Sequence, residues 1–193
     1  MVGNKSSVMQ ENAELRLRIR SLESKVSELE KLVRIDTMTG IGNKQAYREI
    51  LEEESGRMRR DLMDGKASSE VALLFFDLDG FKKLNDTKGH EEGDAALKLF
   101  ASILQSHSRK GYDVPIRYGG DEFVVIMKRG THEAAERYAK KVADELEWYP
   151  DINASFGIAT LSEAEGNADA LVRMADRRMY SMKRELKGIL RSE

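Results

Sequence analysis

The 193 residues carry 40% hydrophobic and 34% charged side chains with a formal net charge of −2, which describes a soluble globular chain with room for one catalytic-size domain and a short appendage. That balance holds no basic excess for nucleic acid, and the lack of cysteine excludes a disulfide framework, thiolate-bound zinc and thiol catalysis. Apolar runs such as Val71–Phe76 are too short to cross a bilayer, and Met1-Val2-Gly3-Asn4-Lys5 lacks the apolar core of a signal peptide. The expectation is a cytoplasmic chain with no membrane segment of its own.

Residues 1–35 read as a separate unit. Val8, Asn12, Leu15, Ile19, Leu22, Val26, Leu29 and Val33 follow one another in alternating steps of four and three, the seam of a heptad repeat. Asn12, Ile19, Val26 and Val33 fall at a, and Val8, Leu15, Leu22 and Leu29 at d. β-Branched residues at a with Leu at d, and one Asn at a, favour two parallel strands. The flanking pairs Glu11–Arg16, Arg18–Glu23 and Lys25–Glu30 would all attract across such a dimer. The competing reading is a single amphipathic helix packed on its own domain.

From Asp36 to the end, 36–193, the pattern is that of an α+β domain. A turn over Asp36–Lys44 leads into a helix with Tyr47, Ile50, Leu51, Met58 and Leu62 on one face. Val71–Asp77 is apolar until its last residue, as for a central strand buried on both faces. Helices follow around Phe81–Asn85 and Gly93–His107. A hairpin comes next, with Val114–Tyr118 and Glu122–Met127 joined through Gly119 and Gly120. A helix near His132–Glu147 precedes a strand over Ile152–Thr160, with Ser155, Gly157 and Ala159 on its small face. The last helix spaces Ala168, Leu171, Ala175, Met179, Met182 and Leu186 along one side. The order β-α-α-β-β-α-β-α predicts a mixed or antiparallel central sheet flanked by helices.

Four groups of residues could carry chemistry. Asp77 ends a buried strand, where a carboxylate needs a cation or several donors; Asp77 and Asp79 share a face and could begin a Mg²⁺ site, although Asp79 reads more readily as a cap of the next helix. Asp121 and Glu122 leave a turn made of Gly119 and Gly120, where a phosphate or sugar can come close to the backbone. If that hairpin lies beside Val71–Asp77, three carboxylates converge and metal-assisted phosphoryl chemistry follows. Asn85 and Asp94 can together read a guanine edge, or be a helix end and a helix cap; His90 alone is more often structural. Lys183 and Lys187, one turn apart, could hold a polyphosphate or form a solvated basic face. Thr39-Gly40-Ile41-Gly42-Asn43-Lys44 does not match the phosphate loop and reads as a turn.

Together these residues closely resemble the GGDEF family of diguanylate cyclases, from Asp36 to about Lys187. The resemblance rests on Asp36-Thr37-Met38-Thr39-Gly40-Ile41-Gly42-Asn43, on Asp77 through Asp86 with Gly89-His90 and Gly93-Asp94, on Gly119-Gly120-Asp121-Glu122-Phe123, and on Ala175-Asp176 through Tyr180 and Lys183. It implies a palm-like nucleotidyl cyclase fold and the condensation of two GTP into cyclic di-GMP by a homodimer, with the coiled coil bringing the two domains together. By the same resemblance Asp77, the Leu78 carbonyl, Asp121 and Glu122 bind Mg²⁺ or Mn²⁺, two ions per GTP, and Asp121 helps deprotonate the attacking hydroxyl. Asn85 and Asp94 read guanine with His90 nearby, and Lys82, Lys183 and Lys187 neutralise phosphates. The family's product-inhibition motif, Arg-x-x-Asp, reads here Lys110-Gly111-Tyr112-Asp113, and Lys cannot supply the fork of Arg. A GTP-binding domain without turnover is the alternative, and the retained carboxylates weigh against it.

Overall fold

The computed structural model describes residues 3–32 and 34–189, without the side chains of 3–11, 13, 27–28, 30–32 and 187–189. It divides into two compact units, Met1–Arg34 and Ile35–Glu193. The first is one helix, α1 (Gly3–Leu32), rich in Leu, Glu, Arg and Lys and free of proline, as an extended helix requires. Leu15, Ile19, Leu22, Val26 and Leu29 along it are 51–61% exposed. Val33 and the side chains of Val8, Glu11 and Glu30 lie outside the described residues.

The second unit runs α2 (Lys44–Met63), β1 (Val71–Asp79), α3 (Phe81–Lys88), α4 (His90–His107), β2 (Asp113–Arg117), β3 (Glu122–Lys128), α5 (His132–Leu146), β4 (Asn153–Thr160), α6 (Ala168–Ile189). The sheet order is β2-β3-β1-β4, and each neighbouring pair is antiparallel. Every residue from Val71 to Phe76 is 3% exposed or less, because β1 lies between two strands and two helical layers. One core joins α4 and α5 to Leu74, Phe76, Phe123 and Val125; the other joins α2 and α6 to Leu73, Phe75, Val124 and Ile126. The period-2 side-chain alternation of the strands divides the two cores.

Two local expectations are corrected. Leu62, assigned to the buried face of α2, is 62% exposed, since it stands in the last turn, beyond Met58, the last buried residue of that helix. Asp79 does not cap α3: the N-cap is Gly80 in the left-handed region, φ 73°, without a side-chain cap bond. Asp79 instead belongs to β1, and its carboxylate accepts from Ser155 Oγ of β4 at 2.8 and 3.0 Å.

The Asp36–Asn43 turn docks on the sheet edge. Gly42 N–H donates to the Pro115 carbonyl at 3.0 Å and Arg117 N–H to the Gly42 carbonyl at 2.8 Å. Asn43 then caps α2, its Oδ1 accepting from Gln45 and Ala46 N–H. The stretch is a turn, as its sequence suggests, and its effect is to bring Lys44 to the hairpin.

Candidate active site

Alternation along three strands collects the polar groups on one face. On β1, Leu73 and Phe75 face α2 and α6, so Asp77 and Asp79 continue that face at the rim. On β3, Val124 and Ile126 place Glu122 on the same side, and Asp77 is its partner in register. On β4, Ser155 is opposite Asp77. The hairpin exit is tied to β1 by a hydrogen bond from Leu78 N–H to the Asp121 carbonyl, 3.2 Å. A turn therefore sets two carboxylates that are distant in sequence side by side.

Their electrostatics show what the rim lacks. Burial pushes the Glu122 carboxyl above its ordinary value, and the charges of Asp77, Asp121 and Asp176 push it further, against a smaller opposing pull from Lys44. Such a set calls for a cation. Lys183 of α6 supplies one: its Nζ donates to Asp77 Oδ1 and lies 3.9 Å from Asp79 Oδ1.

The hairpin does lie beside β1, and Asp77 and Asp121 both bear on Glu122 through their charge. Among the described residues no three acidic or imidazole groups come together as a metal cage; Asp77 and Glu122 face each other, and Asp121 acts on Glu122 through its charge. The rim still fits a Mg²⁺-type ion, which takes one or two protein carboxylates and fills its remaining positions with water and phosphate oxygens. Asp77 already carries one cationic partner, the Lys183 ammonium.

The turn itself is pinned by Arg117, whose Nε and Nη2 donate to the Gly120 carbonyl at 3.1 and 2.8 Å. Its Nη1 reaches Asp36 Oδ1 at 3.5 Å. Burial raises the Asp36 carboxyl, but Thr39 and Arg117 outweigh it and hold the group below its ordinary value. Glu122 Oε2 lies where a Cβ on Gly119 would come within 2.7 Å, so that glycine makes room for the carboxylate; Gly120 faces open space.

Asn85 and Asp94 stand on the neighbouring helices α3 and α4 that follow β1. Asn85 sits in the middle of α3, and its Oδ1 is buried with no hydrogen-bond partner. It presses against Gly93, where any Cβ would collide with it; Asp94 is the next residue, inside α4. Neither residue is the cap of its helix: Gly89 is both the C-cap of α3 and the N-cap of α4. An orphaned buried acceptor calls for a donor from a ligand or water. His90 is the first residue of α4 and exposed, and Lys82 is exposed on α3. The Lys187 side chain lies outside the described residues.

At the far end of the sheet, Asp113 is buried, but its carboxylate is already taken. Arg109 donates to it from Nε at 2.9 Å, from Nη2 at 2.7 Å and from its backbone N–H at 2.8 Å. Lys110, the next residue, is exposed. Arg109, Lys44 and Asp176 were not among the residues singled out for chemistry by sequence. Lys44 had only its place at the end of the Thr39–Lys44 turn as a signal; its Nζ lies 4.4 Å from the Tyr118 ring centre.

Comparison with known proteins gives these features a context. The family description "Diguanylate cyclase, GGDEF domain" matches residues 33–188. Diguanylate cyclase DgcS of Shewanella oneidensis is 35% identical over 160 residues, covering 81% of this chain and 51% of that protein. Response regulator PleD of Caulobacter vibrioides is 32% identical over 158 residues, 77% of this chain and 33% of that protein. The chain thus spans about half or less of these relatives. Among solved structures, the coiled coil and GGDEF domain of DgcB from Caulobacter crescentus in complex with c-di-GMP superposes with a TM-score of 0.71 at 22% identity, covering 93% of this chain and 95% of that one. A sensory box/GGDEF family protein from Caulobacter crescentus gives 0.64 at 28% identity, covering 79% and 99%.

Proposed function

Since the chain belongs to the GGDEF family, matched over residues 33–188, we propose that it condenses two GTP into cyclic di-GMP and two pyrophosphates, as a homodimer in which each domain holds one GTP. The observation that carries this reading is Asp77 facing Glu122 at the strand rim, with a lysine cation already on Asp77.

In this reading Asp77, Glu122, Asp121 and the Leu78 carbonyl hold Mg²⁺ or Mn²⁺, two ions per GTP, which would lower the charge on the α-phosphate and the leaving pyrophosphate. Asn85 and Asp94 read the guanine edge beside His90; the orphaned Asn85 Oδ1 supplies an acceptor. Gly119 and Gly120 admit the sugar and phosphates, and Lys82, Lys183 and Lys187 neutralise the triphosphate. Asp121 takes the proton as the 3′-oxygen of one GTP bonds to the α-phosphorus of the other and the bond to pyrophosphate breaks. A second such step closes the ring. Neither domain holds both partners of the bond that forms, so the rate depends on how the two are brought together.

Incubating the chain with GTP and Mg²⁺ and weighing the products tests this directly. Cyclic di-GMP and pyrophosphate are expected. Bound but unconverted GTP would replace the reading with a silent GTP-binding domain, and a mixed product formed when ATP is added would revise the base choice.

The dimer is carried in this proposal by α1, the 1–35 unit, whose seam is exposed on the single chain. Leu22→Pro removes an interior hydrogen bond and kinks the helix. The expected result is a monomer by light scattering whose catalytic domain still folds and binds GTP, with specific activity that falls and rises steeply with protein concentration. Monomers turning over at the undiluted wild-type rate would refute the coiled-coil role.

Feedback by the product is expected to be feeble. Lys110 lacks the forked guanidinium, and Arg109 already occupies both oxygens of Asp113. Lys110→Arg should tighten inhibition by added cyclic di-GMP only several-fold, because Asp113 stays shared. Strong inhibition of the wild type would show that an ammonium suffices.

A further inference from the structure

Lys183 stands where a cation belongs, and its side chain is 18% exposed against 17% for Asp77. The carboxylates around it are Asp77 and Asp79 of β1; Ser155 of β4 holds Asp79, and Glu122 of β3 stands in register beside Asp77. The cation felt at Glu122 is instead Lys44, which lies over the Tyr118 ring. We infer that Lys183 is a displaceable counter-ion which keeps the metal position of Asp77 closed in the empty protein, so that a divalent cation and a nucleoside triphosphate bind as one coupled event. This rests on the GTP-condensing reading above.

The coupling follows from what each ligand would leave behind. A metal ion arriving alone must take Asp77 from Lys183 and leave an ammonium without its anion in a partly desolvated corner. A triphosphate arriving alone must draw Lys183 away and leave Asp77 uncompensated beside Glu122 and the phosphates. When both arrive, Lys183 transfers from carboxylate to phosphate and Asp77 transfers from ammonium to metal, and neither charge is stranded. Each ligand therefore raises the affinity for the other by the same factor. Lysine suits this exchange because it is a point charge on a flexible stem, whereas the fork of arginine would hold Asp77 by two bonds.

The test is Mn²⁺ binding to the full chain, followed by electron paramagnetic resonance, with and without an α,β-methylene analogue of GTP. Lys183→Met should bind Mn²⁺ alone on the order of tenfold more tightly than wild type, about the worth of one charge-assisted hydrogen bond. The same variant should lose most of the further tightening that the analogue brings. Lys183→Arg should bind Mn²⁺ alone no better than wild type. Lys44→Met, which removes a charge felt at Glu122 without a contact to Asp77, should shift Mn²⁺ affinity by less than Lys183→Met. Equal or weaker Mn²⁺ binding by Lys183→Met, or an equal gain from Lys44→Met, overturns the counter-ion. Asp77→Asn separates the two levels of the argument. If it loses Mn²⁺ while Lys183→Met matches wild type, only the counter-ion role falls. If it binds Mn²⁺ like wild type, or wild type binds none even with the analogue, the metal reading falls and the inference with it.

Discussion

Replacing Asp77 by Asn, or Glu122 by Gln, is expected to lower the rate of cyclic di-GMP formation by roughly 10²–10³-fold or more, the scale on which loss of one charge-stabilising group in a reaction site is felt. The two substitutions are nearly isosteric, so packing at the rim is conserved and the effect is on charge. Their effects on the fold should differ. Glu122 has its carboxyl raised in the folded protein, burial first and Asp77 second, so the folded state binds this proton more tightly than the unfolded chain. Its ionised form opposes folding: stability at this site is greatest below the ordinary carboxylate value and declines as pH rises through the raised one. Glu122→Gln removes that opposition and should melt at or above the wild-type temperature. Asp77→Asn takes the anion from Lys183 and should melt at or slightly below it. Wild-type turnover from either folded variant at saturating Mg²⁺ would exclude the assigned metal role, and a sharply lowered melting temperature for Glu122→Gln would contradict its electrostatic account.

Gly157→Ala should be the most damaging change of a single methyl group in the second unit. Its Cβ would fall inside the backbone of α6, against the Ala175 carbonyl oxygen and the Met179 amide nitrogen. Those atoms belong to a hydrogen-bonded helix and cannot turn aside as a flexible side chain could, so α6 must move off β4. Overpacking of this kind costs about 1–3 kcal/mol. The displacement also reaches the rim, because Lys183 lies one turn beyond Met179 on the same helix and would be carried from Asp77. A shift on the order of 1 Å can cost ~10²-fold in rate. A lower urea midpoint together with reduced turnover is the expected pair of results. If Gly157→Ala leaves both unchanged, the close approach of α6 to β4 is not what aims Lys183.

Much of this was written in local pattern. The continuous apolar run Val71–Phe76 declared a strand buried on both faces, and the period-2 alternation of β4 put Ser155, Gly157 and Ala159 on one side, where α6 now lies. The helix of α1 is equally legible, since residues 3–32 are rich in helix formers and hold no proline. Asp77, Asp121 and Glu122 stood out because carboxylates at the end of a buried strand and beyond a Gly-Gly turn lack an ordinary structural purpose, and the family resemblance joined them to Asn85, Asp94 and Lys183.

Tertiary structure decided the rest, since partners distant in the chain leave no local signal. Asp79 looked like a helix cap until β4 brought Ser155 to it. Lys44 looked like the end of a turn, but the docking of that turn on Pro115 and Arg117 brings it to the hairpin. Asp113 looked like half of an inhibitory site, and only the folded loop shows that Arg109 holds it with both arms of its fork. Lys183 is 106 residues from Asp77 in the chain. Spacing could propose that this lysine meets phosphate. That it meets Asp77 follows from the close contact of α6 with β4, where a glycine leaves room for the helix backbone.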